Sequence, residues 1–307
     1  MISKADPQAP GTDHISRRFY SVRWFSLADI AARWIPRFVM RPVLGAFGYL
    51  YALTHPAKVA VVRKNLSLLG PEPVSFHEAC CVYNEFGRVL ADYFYAGTRS
   101  HDTTLALISE RLGREHLKNA KKEGKGAIIL TAHLGFFELG SFLGIELGFP
   151  RVALTQAEPS PELTRWRADY RARWGVETIE IGKDQFSFLQ VLDELKQGKF
   201  VASLFDRPNP NLSTPVSAPN GRVFCTGGVF LLARMAECPV VLVTTVVKPD
   251  GTYRAEAHPP FFVKSMASRE ETIRHYSQLS MDMLLPTLQK YRRQWFQFVP
   301  LSEAGKG

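Results

Sequence analysis

The chain has 307 residues, 46% of them apolar, with a formal charge of +9, which excludes a disordered protein and allows one large α/β domain with a continuous core. A basic surplus suits nucleic acid, anionic lipid or an acidic protein, but there is no zinc-finger spacing and no RNP-like aromatic motif, so no nucleic-acid partner is expected. Cys80, Cys81, Cys225 and Cys238 form no C-x-x-C; they read as small buried hydrophobes in a reducing compartment, with no structural metal.

Residues 1–19, polar with two prolines and a glycine, read as a loose tail without the basic-then-apolar pattern of a signal peptide. Residues 20–70 then read as amphipathic helices. Trp24, Leu27, Ile30, Trp34 and Phe38 recur at helical spacing, and Arg33, Arg37 and Arg41 form an i, i+4 basic row. Pro36 is expected to kink this segment, and Arg41-Pro42 to interrupt any long span. The apolar run 43–53 is too short to cross a bilayer, which needs about 20 residues. Residues 1–64 hold ten Lys/Arg against three Asp, a net charge of 10 − 3 = +7. Basic residues opposite Trp and Phe fit a helix lying in a membrane interface.

Ser75 to Gly97 reads as a helix, and Ser109 to Lys122 as another, ending at Gly124. The central stretch is 126–140. Ala127 to Ala132 is a short apolar run expected as a strand buried on both faces. It ends at His133, with Gly135 as a turn residue and a buried helix expected from Phe136 to Leu147. In one helix, His133 and Glu138 would stand about 140° apart; in one strand they would face opposite ways. A bend at Gly135 would let them meet. A carboxylate taking the imidazole N–H would then leave the other nitrogen to accept a proton, at the strand end where open α/β sheets keep their sites.

Downstream, strands are expected at 151–156, 177–181 and 200–205, with helices at 161–174 and at 184–196, the latter N-capped by Asp184. This β-α-β-α-β order implies a largely parallel sheet. Asp206 ends a strand as His133 does. The helix at 161–174 carries Arg165, Arg167, Arg171 and Arg173, candidates for phosphate groups of an acceptor, with Arg171 foremost; Arg207 could also hold a phosphate. Residues 208–220 read as a surface loop, 226–237 as a helix, and 239–247 and 252–258 as an antiparallel pair across Pro249-Asp-Gly251. A long helix over 269–293 with a kink at Pro286 and an edge strand at 295–299 complete the chain. No nucleotide-loop, H-E-x-x-H or G-x-S-x-G spacing is present.

Several blocks in order carry a resemblance: Arg63-Lys-Asn-Leu66, Gly113-Arg-Glu-His-Leu117, Gly124-Lys-Gly126, His133 to Glu138, Asp206, the 221–233 segment and Pro239-Val-Val241. Over residues 20–300 the chain resembles the lipid A biosynthesis (lauroyl/myristoyl) acyltransferase family, within the wider His-x4-Asp/Glu lysophospholipid acyltransferase superfamily. The resemblance implies a single acyltransferase domain (membrane-contact helices at 20–70, catalytic core at 110–300). The fold is glycerolphosphate-acyltransferase-like: mixed α/β, a largely parallel sheet flanked by helices. It implies a catalytic set of His133, Glu138 and Asp206 and a glycine-bearing block with Thr226, Gly227 and Gly228; with Gly135, Arg171 and Arg207, read from the residues themselves, these make the expected substrate-binding set. Backbone N–H groups at 135–137 or 227–229 are candidate oxyanion donors.

No cofactor is expected. An acyl carrier protein or acyl-CoA thioester would be donor, a lipid A precursor or related glycolipid acceptor, and an anionic membrane surface the setting, on the cytoplasmic face of the inner membrane. Rival readings are transfer to a phosphatidylinositol mannoside, an ornithine lipid or a lipid-linked pigment, or a catalytically silent lipid-binding protein. The sequence departs from the family at Phe136-Phe137, where Asn-Trp is usual.

Overall fold

The computed structural model describes residues 22–158, 160–181, 186–208 and 213–302; the expected tail at 1–19 and the Asp184 cap lie outside them. Its centre is a mixed sheet whose innermost strands are the most apolar. Strand β2 (Ala127–Thr131) pairs in parallel with β5 (Phe200–Leu204) on one side and β8 (Pro239–Val247) on the other. All nine residues of β8 are buried, as expected of a strand covered on both faces. β3 (Arg151–Thr155) and β4 (Val176–Glu180) extend the sheet in parallel beyond β5. On the other edge β9 (Tyr253–Ala257) runs antiparallel to β8, and β1 (Ile108–Leu112) parallel to β9. The order is therefore β1-β9-β8-β2-β5-β3-β4, with β10 (Phe261–Phe262) also on β8. The mixed, largely parallel α/β class is as expected.

Four local expectations are corrected. Residues 109–112 form strand β1, and helix begins only at Arg114 (α6, Arg114–Lys122). Gly113 separates them at φ +69°, where an added Cβ would lie 1.8 Å from the Ala257 carbonyl oxygen, so edge pairing overrides the helical pattern. The expected loop 208–220 contains β6 (Ser213–Ala218), which makes a hairpin with β7 (Gly221–Thr226). Residues 136–147 form a short 3-10 turn (Phe137–Gly140) followed by α7 (Ser141–Glu146), not one helix. Residues 295–299 form no edge strand; Trp295 makes an isolated bridge to Leu134.

The N-terminal segment folds as α1 (Val22–Trp34), α2 (Arg37–Thr54) and α3 (Pro56–Ser67). Pro36 caps α2, while Pro42 lies inside it without breaking it. Packing against α4 (Phe76–Gly97) holds α2 together: a Cβ on Gly48 would meet the Tyr83 carbonyl at 2.2 Å, and one on Gly87 the Leu44 carbonyl at 2.1 Å. The expected basic row is also turned. Arg37 and Arg41 point inward to the buried Asp92 (2.6 and 2.8 Å) and to the Gly251 carbonyl. The apolar residues face outward instead: Trp34 is 83% and Phe38 77% exposed, flanked by exposed Trp24, Leu27, Ile30, Val43, Phe47 and Leu50. No helix among the described residues is long and apolar enough to cross a membrane.

Candidate active site

Parallel pairing builds the site. β2 and β5 are in register Thr131↔Leu204, so two residues past each strand end the chain delivers His133 and Asp206 side by side. Asp206 is wholly buried and His133 is 17% exposed. The Asp206 carboxylate accepts the His133 ring through Nδ1 (2.7 Å) and the His133 backbone N–H (2.9 Å). It also accepts Trp295 Nε1 (2.8 Å) and Gln297 Nε2 (2.6 Å). A carboxylate with four such donors is held in one orientation and fixes the proton of the neutral imidazole on Nδ1. Nε2 is then the proton acceptor.

Burial opposes the charge on both groups. It lowers the proton affinity of His133, Arg207 lowers it further, and Asp206 only partly offsets them. Burial alone would raise Asp206, but His133, Arg207 and the Trp295 N–H outweigh it and hold the carboxyl below its usual range. The pair therefore rests as neutral imidazole and carboxylate, able to take a proton rather than already carrying it.

Glu138 does not meet His133, and the expected contact between them is corrected. Gly135 (φ +54°) makes the bend, with an added Cβ lying 2.2 Å from the Thr245 carbonyl, but the following 3-10 turn aims Glu138 at α8 (Pro161–Ala172). There Arg171 donates to Glu138 Oε1 from Nη2 (2.8 Å) and Nε (3.1 Å). The Phe137 ring packs edge-on against His133, the centroids 5.5 Å apart. Of the four arginines expected to hold phosphate, Arg167 pairs with Glu158, Arg171 with Glu138 and Arg173 with Asp29; Arg165 and Arg173 are the exposed ones.

Most of the expected substrate-binding set is engaged within the protein. The Gly135 N–H is taken by the Gln294 carbonyl (2.9 Å) and is no oxyanion donor. Arg207 reaches Gln297 Oε1 and the Phe296 carbonyl. The Thr226 hydroxyl donates to the Arg207 carbonyl. A Cβ on Gly227 would strike Ile273 at 2.3 Å, so glycine there admits α11 (Arg269–Lys290) to close packing rather than a ligand. Gly228 opens α10 (Gly228–Met235). Among the described residues, no group of His, Cys, Asp and Glu could hold a metal ion.

Trp295 and Gln297 escape the sequence reading because nothing local marks them; only folding carries them to Asp206. Asn65 explains the Arg63-to-Leu66 block. Wholly buried, it donates to the Gln297 and Val299 carbonyls (3.0 and 2.7 Å) and accepts the Leu301 N–H, fixing the strap that carries Trp295 and Gln297.

The chain matches the family model described as bacterial lipid A biosynthesis acyltransferase over residues 12–295. A search of curated proteins found no match.

Proposed function

The chain belongs to the bacterial lipid A biosynthesis acyltransferase family and is an acyltransferase, and from that premise we propose that it moves a fatty acyl chain from an acyl carrier protein thioester to a hydroxyl of a lipid A precursor or related glycolipid. The observation that carries this reading is the 2.7 Å bond from His133 to Asp206, with the imidazole shielded and neutral. His133 Nε2 takes the proton as the acceptor hydroxyl attacks the thioester carbonyl. The C–O ester bond forms, the C–S bond breaks, and the proton passes to the leaving thiolate. No covalent enzyme intermediate is needed. Each oxyanion donor is worth about 3 kcal/mol in comparable sites; with Gly135 engaged, the N–H groups of Phe136 and Phe137 and those opening α10 are the remaining candidates.

The reaction takes place at a membrane surface. The outward Trp, Phe and Leu side chains of α1 and α2 suit the acyl layer of a bilayer, entered in-plane because neither helix can span it. The cytoplasmic face of the inner membrane, where acyl carrier protein is found, is the setting we assign.

The test is transfer of labelled acyl chain from carrier protein to extracted lipids. Label in lipid A supports the acceptor assignment, label in another lipid redirects it, and no label points to a silent lipid-binding protein. His133→Ala is expected to abolish transfer with folding intact, and Asp206→Asn to lower kcat by about 10²–10⁴. Full activity in His133→Ala would refute the base assignment.

A further inference from the structure

Beside the base centre lies a second polar cluster with unfilled bonding capacity. Glu138 and Arg171 are largely buried, 17% and 11% exposed. Their bond uses one oxygen of the carboxylate; Glu138 Oε2 and Arg171 Nη1 are buried with no partner in the protein. The Tyr93 hydroxyl, from α4, is a third such atom. Its ring is fixed from two sides, stacked on Tyr170 at 4.1 Å and packed on Phe136 at 5.9 Å. Tyr170 in turn donates its hydroxyl to the Tyr93 carbonyl (2.7 Å), locking α8 to α4. Burial pushes the Tyr93 phenol well up, so it stays a neutral donor, and its surroundings are Glu138, Arg167, Arg171 and Glu158. Each of these guanidiniums is paired with one of the carboxylates, Arg171 with Glu138 and Arg167 with Glu158, so their charges cancel. Buried polar atoms ordinarily find partners, and each one left unmade carries a desolvation cost.

We infer that Tyr93, Glu138 and Arg171 together grip a neutral, hydroxyl-bearing part of the acceptor, such as neighbouring hydroxyls of a sugar, rather than a phosphate. The chemistry of the three atoms sets the ligand. Glu138 Oε2 can only accept, Arg171 Nη1 can only donate, and the Tyr93 hydroxyl can do either. A hydroxyl answers both kinds of atom. A phosphate cannot donate to the carboxylate when ionised, and a charge-balanced pocket offers it no net attraction. Glu138 is bound by Arg171 and His133 by Asp206, so the cluster positions the acceptor while the base centre acts on it. The inference rests on the acyl-transfer reading.

The test replaces Tyr93 by Phe, which keeps the ring stacking and removes one hydroxyl. Transfer is measured from acyl carrier protein thioester to a diacylated glucosamine lipid and to its analogues lacking single sugar hydroxyls. Tyr93→Phe is expected to raise the acceptor KM about threefold to tenfold, with kcat and the thioester KM unchanged. One deoxy acceptor should show the same rise with the wild type and no further rise with the variant. An unchanged acceptor KM, or losses that multiply for every deoxy acceptor, would overturn the inference. A wild type that transfers nothing would instead overturn the acyl-transfer reading.

Discussion

At His133 the balance between burial and a partner carboxylate decides the chemistry. Exposed, the ring would titrate near 6.5; buried beside Arg207, it holds its proton less well. The active form is the neutral one. Activity is therefore present above the lowered value and is lost as pH falls through it. Arg207→Gln removes a positive charge that repels the imidazolium, so the acid limb of kcat/KM is expected to move to higher pH, toward 6.5. A pH–rate profile in both proteins checks this, and a limb that stays put or moves down would contradict it. Glu138 is bound by Arg171 instead of His133. The five-residue spacing shows that the two side chains need a bend between them. It cannot show where the bend sends the second one.

Among the elements, α2 and α4 approach each other through glycines. The Gly87 site faces the Leu44 backbone, which cannot swing aside as a flexible side chain can. Gly87→Ala is expected to destabilise the protein by about 1–3 kcal/mol through overpacking, read as a lower thermal midpoint. The inward pair Arg37 and Arg41 adds to this anchorage. Their shared acceptor Asp92 is wholly buried and also takes the hydroxyl of Tyr253 in β9, so α2 is tied to the sheet itself. An i, i+4 arginine row in sequence fits a solvated face equally well; a buried aspartate 51 residues away from Arg41 reverses it.

For the whole molecule, that reversal alters how a membrane would be held. With Arg37 and Arg41 engaged inside, the outward surface of α1 and α2 is mainly apolar, so binding should depend more on burial than on charge. Sedimentation with lipid vesicles is expected to persist at 1 M salt, where the screening length is about 3 Å. It should weaken about tenfold or more in the double variant Trp34→Ser, Phe38→Ser, since burying one large apolar side chain contributes about 1.5–3 kcal/mol. Binding abolished by salt and indifferent to the double variant would assign attachment to the basic residues instead.

What the sequence determined by itself is what depends on neighbours along the chain. Apolar runs such as 127–131 and 239–247 announce inner strands, Ser75 announces the start of a helix, and the order of blocks from Arg63 to Val241 announces the family. A histidine and an aspartate, each just past an inner strand, could also be read as sharing one edge of the sheet. Tertiary structure alone decided that β2 and β5 are direct neighbours, and so that Asp206 rather than Glu138 accepts the imidazole N–H. It also brought Trp295 and Gln297 to Asp206, Tyr93 to Glu138, and the arginines of α2 to Asp92. These contacts join residues that lie 45 to 91 positions apart in the chain. Their energies come from desolvation and pairing in the assembled core, which no local pattern of residues records.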